Sequence, residues 1–255
     1  MSTMKIMMKR VLFLSMMLLS LLVLALLQSC EDDDDIILIT RYYAYEDAEE
    51  AVAVSLSYAT YGMVANMNRA SNEIQGNTDC DVPFEDASTF YDETITGYIS
   101  YEYAYHENYV WTCGPETTVD YTLTATQYLD AVRYDYDHEI ALDFQISGLE
   151  DESPNEVYEG TYNRTGEWES GYNEETYAFD FDSEISEALV SKESNKIYSG
   201  TATFSLVQSY SYSNITYTYK GTVEFINEDE ARVEFESGEV FYVNLNNISI
   251  ADTED

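Results

Sequence analysis

The pattern of apolar and polar residues along this chain has a period of two from residue 95 onward. Apolar residues alternate with polar ones there, as in antiparallel strands that bury one face. The alternating segments are Ile99–Tyr105, Val119–Ala125, Ile140–Ile146, Tyr177–Phe181, Ala202–Leu206, Ile215–Phe225, Val233–Phe235 and Phe241–Leu245. Ser237-Gly238 is typical of a tight hairpin turn between the last two. No helical pattern separates these segments, so the chain is predicted to be mainly β, with its strands in an antiparallel meander.

This β domain is expected to cover residues 76–255. Nine or more strands in one open sheet tend to curl or to split into two layers. The pattern therefore predicts either an up-and-down barrel or a two-layer sandwich, and it does not choose between them.

One amphipathic helix is predicted before the strands, over residues 46–75. Its apolar positions recur at steps of three and four, which places them on one helix face. They are Val52, Leu56, Ala59, Met63, Met67 and Ala70. We expect this face to pack against the sheet.

The N-terminus has the layout of a secretory signal peptide over residues 1–29. A basic start with Lys5, Lys9 and Arg10 precedes an apolar run from Val11 to Leu27. The alternative is an uncleaved transmembrane anchor, because the run is close to the lower limit of roughly 17 residues for a spanning helix.

The end of that run, Leu27-Gln28-Ser29-Cys30, resembles the lipobox of bacterial lipoproteins. The resemblance implies cleavage before Cys30 and a diacylglycerol on its thiol, with the membrane as partner through this lipid anchor. Each buried methylene of such an anchor contributes about 0.8 kcal/mol.

The acidic run Glu31–Asp35 resembles the export signal of Bacteroidota lipoproteins, which implies an outer-membrane protein displayed at the cell surface and not a cytoplasmic one. The alternative is a solvated tether kept extended by like-charge repulsion, and both can hold together. Residues 30–45 are accordingly predicted to be an acidic tether with a short apolar segment. The stretch Gly160–Arg164, the later Gly-Thr strand starts and the Gly238 hairpin are similar to uncharacterised Bacteroidota surface lipoproteins, a group with no activity to transfer.

The charge of the chain excludes one class of partner. The formal net charge is −38, and removal of residues 1–29 would take away basic residues and no acidic ones. Such a surface repels phosphate backbones, so nucleic-acid binding is excluded. The 25 tyrosines and 10 phenylalanines supply enough apolar area for a folded core despite the charge.

Two cysteines remain once Cys30 is lipidated. Cys80 and Cys113 are predicted to form a disulfide, because disulfides persist in the oxidising compartment that the signal peptide implies. The alternative is two buried free thiols.

Two groups of residues are candidates for ligand binding. Asp135, Asp137 and Glu139 share one face of a strand and could hold calcium, unless this is a solvated face opposite an inward-facing Tyr134, Tyr136 and His138. Trp111 and Trp168 could form an aromatic platform for a glycan, unless their rings fill the core.

No catalytic residue can be chosen from the sequence. It has two histidines and lacks a nucleophile elbow, a phosphate-binding glycine loop and a zinc-helix motif. We therefore expect a non-enzymatic binding or structural module of the cell envelope, with a glycan or an envelope protein as its partner and no cofactor unless calcium binds. The alternative is a carboxylate-dependent hydrolase of extracellular polysaccharide, which needs only two carboxylates at a set separation.

Overall fold

A computed structural model describes residues 33–76, 78–93, 99–131, 134–150, 152–169, 176–211 and 213–251. Only the backbone is described for 33–43, 92–93, 99–100, 129–131, 134–135 and 169. The predicted signal peptide and Cys30 lie outside the described residues. The chain divides into two units, 1–42 and 43–255, and every side-chain contact given below belongs to the second.

Within the described residues two helices, not one, precede the strands: α1 (Asp33–Leu56) and α2 (Met63–Gly76), with a 3-10 turn at Tyr58–Thr60 between them. The predicted single helix over 46–75 is wrong, because the helix is interrupted between Leu56 and Met63, at Gly62. A Cβ on Gly62 would lie 2.6 Å from the carbonyl oxygen of Ser55, so only glycine permits this close approach. Over the described ranges, neither helix has the length and hydropathy that a membrane span requires.

Eleven strands follow, and each pairs antiparallel with the next, so the sheet order is the chain order. The strands are β1 (Pro83–Glu93), β2 (Ile99–Thr112), β3 (Thr118–Ala131), β4 (Tyr134–Ser147), β5 (Asn155–Glu169), β6 (Thr176–Ser191), β7 (Ile197–Tyr210), β8 (Thr216–Phe225), β9 (Glu230–Phe235), β10 (Val240–Asn244) and β11 (Ile250–Ala251). The predicted antiparallel meander is confirmed.

The sheet does not close, and it does not split into two layers. Among the described residues β1 pairs only with β2, and β11 pairs only with β10. The expected barrel or sandwich is therefore replaced by one open sheet. Its apolar face is covered by α2 and by α1 from Ala44 onward, so neither closure nor a second sheet is needed to bury that face.

The core lies between the helices and this inner face of the sheet. Along β6 buried residues alternate mostly with exposed ones, and in β7 and β9 they alternate mostly with half-buried ones. The second half of α1 is buried almost all round, and its inward residues are mostly small. They include Ala44, Ala48, Ala51 and Ala53, all without exposed area. Small side chains let the sheet approach the helix backbone closely.

Tyrosines on the inner face bridge the gap between sheet and helices. Tyr103 donates a hydrogen bond to Oδ1 of Asn66 at 3.0 Å, and Tyr210 donates to Oδ2 of Asp47 at 2.8 Å. The ring of each tyrosine fills the core while its hydroxyl reaches a polar group of a helix, which accounts for part of the tyrosine richness.

The predicted disulfide between Cys80 and Cys113 is confirmed, with the two Cα atoms 5.5 Å apart. It links the segment after α2 to the end of β2, and Cys80 also makes a parallel bridge to Trp111. Closing a loop of 33 residues contributes about 3 to 4 kcal/mol in the chain-entropy model.

Candidate functional site

The two tryptophans predicted as an aromatic platform belong to the core. Trp168 is 1% exposed and Trp111 is 7% exposed, so neither offers an open ring face to a sugar. Trp168 stacks on Tyr136, with ring centroids 5.6 Å apart, and on Tyr177 at 6.4 Å. The alternative interpretation, in which these rings fill the core, describes the structure.

The three carboxylates predicted as a calcium site are on β4. Asp137 and Glu139 face outward and are exposed, while Tyr136 and His138 face inward and are buried. The side chain of Asp135 lies outside the described ones. Among the side chains that are described, no group of three carboxylates, histidines or cysteines could hold a metal ion. Calcium binding at these positions stays a prediction.

The inner face contains a fully buried arginine, Arg164 on β5. Its Nη1 donates to the backbone oxygens of Val54 at 2.8 Å and Thr60 at 3.2 Å, and its Nη2 donates to the side chain of Gln127. Its Nε donates to Nδ1 of His138 at 3.1 Å. Arg164 therefore ties three neighbouring strands to the C-terminal end of α1 and to the 3-10 turn.

His138 must be neutral to take part in this network. Burial lowers the pKa of His138 far below its usual range, and the charge of Arg164 lowers it further. Because Nδ1 accepts the bonds from Arg164, the proton of the neutral ring is on Nε2. The network is structural, since it faces the helices and not solvent.

A second arginine, Arg69 on α2, contacts the inner face of the sheet and is partly exposed to solvent. Its Nε binds Oε2 of Glu107 at 2.9 Å, and its guanidinium lies 3.4 Å from the ring centroid of Tyr105. Tyr121 donates its hydroxyl hydrogen to the same carboxylate. Burial raises the pKa of Tyr121, and the charge of Glu107 raises it further, so the phenol keeps its proton.

A pocket of about 420 Å³ opens beside Arg69, where the 3-10 turn meets α2. We call it the junction pocket. It is lined by Tyr58, Ala59, Tyr61, Ala65, Asn66, Asn68, Arg69, Asn72 and Glu73. Its volume lies in the range of roughly 300 to 1,000 Å³ that small-molecule sites occupy. Its lining combines two aromatic rings with three side-chain amides.

The polar side chains of the junction pocket are held in place by hydrogen bonds. Nδ2 of Asn68 donates to the backbone oxygen of Asn195 at 2.7 Å, and Nδ2 of Asn195 donates to Oδ1 of Asn72 at 2.7 Å. Nδ2 of Asn72 donates to the backbone oxygen of Asn68, also at 2.7 Å. Because Asn195 is in the turn between β6 and β7, the sheet itself fixes the two amides.

The floor of the junction pocket carries backbone strain. Tyr61 has φ of 48°, in the left-handed region that bulky residues rarely adopt. Its ring stacks on Tyr101 and Tyr103, with centroids 5.1 and 4.5 Å away, and Nδ2 of Asn66 donates to its carbonyl oxygen at 2.9 Å. Strain of this kind persists only where surrounding contacts enforce it, and it concentrates at functional sites.

Glu73 is the acidic group of the junction pocket. Partial burial raises its pKa, and the nearby negative charge of Glu107 raises it further, while Arg69 acts in the opposite direction. The carboxyl group of Glu73 therefore holds its proton to a higher pH than an exposed glutamate does.

Two larger and more open grooves cross the outer face of the sheet. One, of about 800 Å³, is lined along β1 to β5 by small side chains such as Ala87, Thr124 and Ala141. The other, of about 760 Å³, crosses β5 to β9, with Asp182 and Lys220 on its surface. Asn163 lines both grooves, and its Nδ2 donates to Oδ1 of Asp182 at 2.8 Å. Both grooves are more open than the junction pocket, and Asn163 is the one hydrogen-bonded amide that lines them among the described residues, whereas three side-chain amides line the junction pocket.

Sequence reasoning missed the junction pocket altogether. The available signal was Asn68 and Asn72, four residues apart on one helix face, shortly after Tyr58. An unbroken helix over 46–75 would have spread these residues along one rod, so the turn that brings them together had to be known first.

Comparison of the chain with protein-family models, with curated proteins and with solved structures found no match. Its function must therefore be argued from its own residues. The junction pocket is the best-formed candidate site, because it is the smallest and the most firmly ordered of these concavities.

Proposed function

We propose that this chain is a lipid-anchored, non-catalytic binding module of the bacterial cell envelope, displayed at the cell surface. The observation that carries the proposal is the contrast between a filled interior and a preformed pocket outside it. Helices and apolar side chains occupy the inner side of the sheet, whereas the junction pocket presents fixed amides and an exposed tyrosine to solvent. Such a site holds a ligand without reorganising.

The positions of the buried carboxylates support binding over catalysis. Asp47, Glu50, Glu107 and Glu156 are the buried acidic residues among the described side chains. None of them lines the junction pocket or either outer groove. Glycosidases need two carboxyl groups on either side of the bond that they cleave.

One observation favours the alternative, a carboxylate-dependent polysaccharide hydrolase. Glu73 lines the junction pocket with a raised pKa, which is a property of a general acid. Glu107, the carboxylate with the largest effect on that pKa, is fully buried and already bound by Arg69 and Tyr121. A carboxylate in that state does not reach a substrate, so we place binding first.

The proposed location at the cell surface rests on Leu27–Cys30 and on the acidic run after it. These residues lie largely outside the described ones. We expect Cys30→Ala to abolish acylation, measured by metabolic labelling with a fatty-acid analogue. The double variant Cys80→Ser, Cys113→Ser is the matched control and should stay labelled. Equal labelling of the Cys30 variant would remove the anchor from the proposal.

The binding role is tested on isolated envelope polysaccharide. The full chain in detergent should co-sediment with it in a saturable manner and release no reducing ends over many hours. Steady release of reducing ends that Glu73→Gln abolishes would replace the binding module with the hydrolase.

A further inference from the structure

We infer that the junction pocket binds a neutral saccharide, with Tyr58 as the stacking surface and Asn68 and Asn72 as the hydrogen-bonding groups. This inference deepens the proposed function by naming the ligand class of its site. It also transfers the glycan hypothesis from the two buried tryptophans to residues that a ligand can reach.

The exposed tyrosine supplies the apolar half of such a site. Tyr58 is 45% exposed although it lies beside the core, and its hydroxyl contacts Oδ1 of Asn68 at 3.4 Å. That contact holds the ring at the rim of the pocket. A sugar presents faces of C–H groups that are apolar enough to stack on an aromatic ring, and an exposed ring of fixed orientation provides area at low entropic cost.

The amides supply the polar half. A side-chain amide carries two donors and two acceptor positions, which suits hydroxyl groups because they also donate and accept. Within the described part of the chain, Nδ2 of Asn68 uses one donor on Asn195, and Oδ1 of Asn72 accepts one bond from it. One N–H of Asn68 and one acceptor position of Asn72 remain available, in fixed positions, for a ligand hydroxyl.

The charges around the pocket argue against an anionic ligand and against a metal ion. An anionic ligand would have to approach a chain of net charge −38, and the arginine of the pocket is already paired with Glu107. A metal ion would need several carboxylates, but the pocket lining holds one, Glu73. A neutral ligand rich in hydroxyl groups fits both constraints.

The size of the pocket sets the length of the ligand. A volume of about 420 Å³ accepts one or two sugar rings, with the remainder of a longer chain in solvent. The site would therefore read a terminal residue or a short segment of an envelope or extracellular glycan.

The test is calorimetric titration of the full chain in detergent with cello-, manno- and chito-oligosaccharides, and with an oligogalacturonate as the anionic comparison. We expect a neutral oligosaccharide to bind and Tyr58→Ala and Asn72→Ala each to weaken it at least about tenfold, which corresponds to roughly 1.4 kcal/mol. Tyr128→Ala is the matched control, because Tyr128 is 48% exposed on the outer face and is not part of the pocket lining. It should leave the affinity unchanged.

Three outcomes would overturn the inference: no neutral oligosaccharide binds at millimolar concentration, the anionic one binds best, or the Tyr58 and Tyr128 variants bind alike. Melting curves of each variant establish that it is folded, and because both tyrosines are exposed we expect both variants to fold. Co-sedimentation of the Tyr58 variant with envelope polysaccharide separates the two proposals. Retained co-sedimentation would leave the binding module standing on another surface, whereas a wild-type chain that never co-sediments would overturn both.

Discussion

The inner and outer faces of this sheet hold charge in opposite ways. On the inner face Arg164 has no exposed area, and its donors meet two backbone carbonyls, an amide and a neutral imidazole. On the outer face Asp137 and Glu139 project into solvent from the neighbouring strand. A charge can be buried only where every donor finds a partner, whereas exposed charges need water and counterions alone. Inner substitutions should therefore affect folding, and outer ones should mainly affect the response to salt.

The largest effect is expected from Arg164→Met, which would leave Oε1 of Gln127 and Nδ1 of His138 without their donor, while the carbonyls of Val54 and Thr60 would each keep one other donor. Each buried unsatisfied group costs about 1 to 3 kcal/mol, so we expect the free energy of unfolding to fall by roughly 3 to 5 kcal/mol. Denaturant titration measures the change. Lys220→Met on the exposed face is the control, with an expected change within about 0.5 kcal/mol.

An unchanged or raised stability of Arg164→Met would break the contrast between the faces. It would mean that the cost of burying the guanidinium equals or exceeds the value of its hydrogen bonds, as happens at some buried ion pairs.

A smaller loss is expected at the second inner arginine, where Arg69 and Glu107 form an ion pair. Tyr121→Phe removes the hydroxyl donor from the buried carboxylate and keeps the ring. Hydrogen bonds to charged groups contribute about 1.5 to 3 kcal/mol, and we expect a loss in that range by thermal or denaturant unfolding. Tyr128→Phe, on the outer face, should change the free energy of unfolding by no more than a few tenths of the change that Tyr121→Phe causes. Equal effects of the two variants would show that Glu107 gains nothing from its buried donor.

The third prediction concerns pH and His138. Its pKa is lowered in the folded state, so below about pH 6.5 the unfolded chain binds a proton that the folded chain does not. Stability should therefore decrease as pH falls below about 6.5, with a contribution approaching 1.4 kcal/mol per pH unit, and this contribution should vanish above it. Comparison of unfolding curves from pH 7 to pH 5 measures the slope.

The matched control is the exposed histidine of the outer face. His138→Gln should flatten the slope, while His106→Gln should leave it almost intact, because the His106 side chain is 45% exposed beside Glu85. Identical slopes for these two variants would assign the acid sensitivity to carboxylates elsewhere.

Whether a strand could be predicted from the sequence also depends on how regularly its residues alternate between the two faces. Strands β3 and β6 were predicted in part, because apolar residues alternate over Val119–Ala125 and Tyr177–Phe181. The alternation fails in β5, where Arg164 takes an inward position and Gly160 sits at a bulge with φ of 141°. The alternation fails again in β1, an edge strand that leaves Phe90 and Tyr91 exposed. Both strands were therefore missed.

The candidate site was hidden for a different reason. Its residues have ordinary side chains, and what makes them a site is the turn at Tyr61 and the contact with Asn195, which is distant in sequence. The apolar spacing of Leu56, Met63 and Met67 runs through that turn without a change of phase, so periodicity predicts one helix. Only the close approach at Gly62 reveals the break.

The smallest effect is expected on the outer face, where dissolved salt, and not specific hydrogen bonds, offsets the charges of the carboxylates. The Debye length shrinks from about 30 Å at 0.01 M salt to about 3 Å at 1 M, so at high salt only neighbouring carboxylates still repel each other. Sodium chloride should therefore raise the melting temperature by a few degrees, since about 1 kcal/mol corresponds to roughly 2 to 4 °C at this size. A calcium series at matched ionic strength follows the same curve if the outer carboxylates of β4 respond to screening alone, and it lies higher if the predicted calcium site exists. A flat sodium chloride series would contradict the repulsion argument. An additional rise with millimolar calcium, lost in Asp137→Asn, Glu139→Gln, would instead establish a calcium site at Asp135, Asp137 and Glu139, since a ligand that binds the folded state stabilises it by mass action.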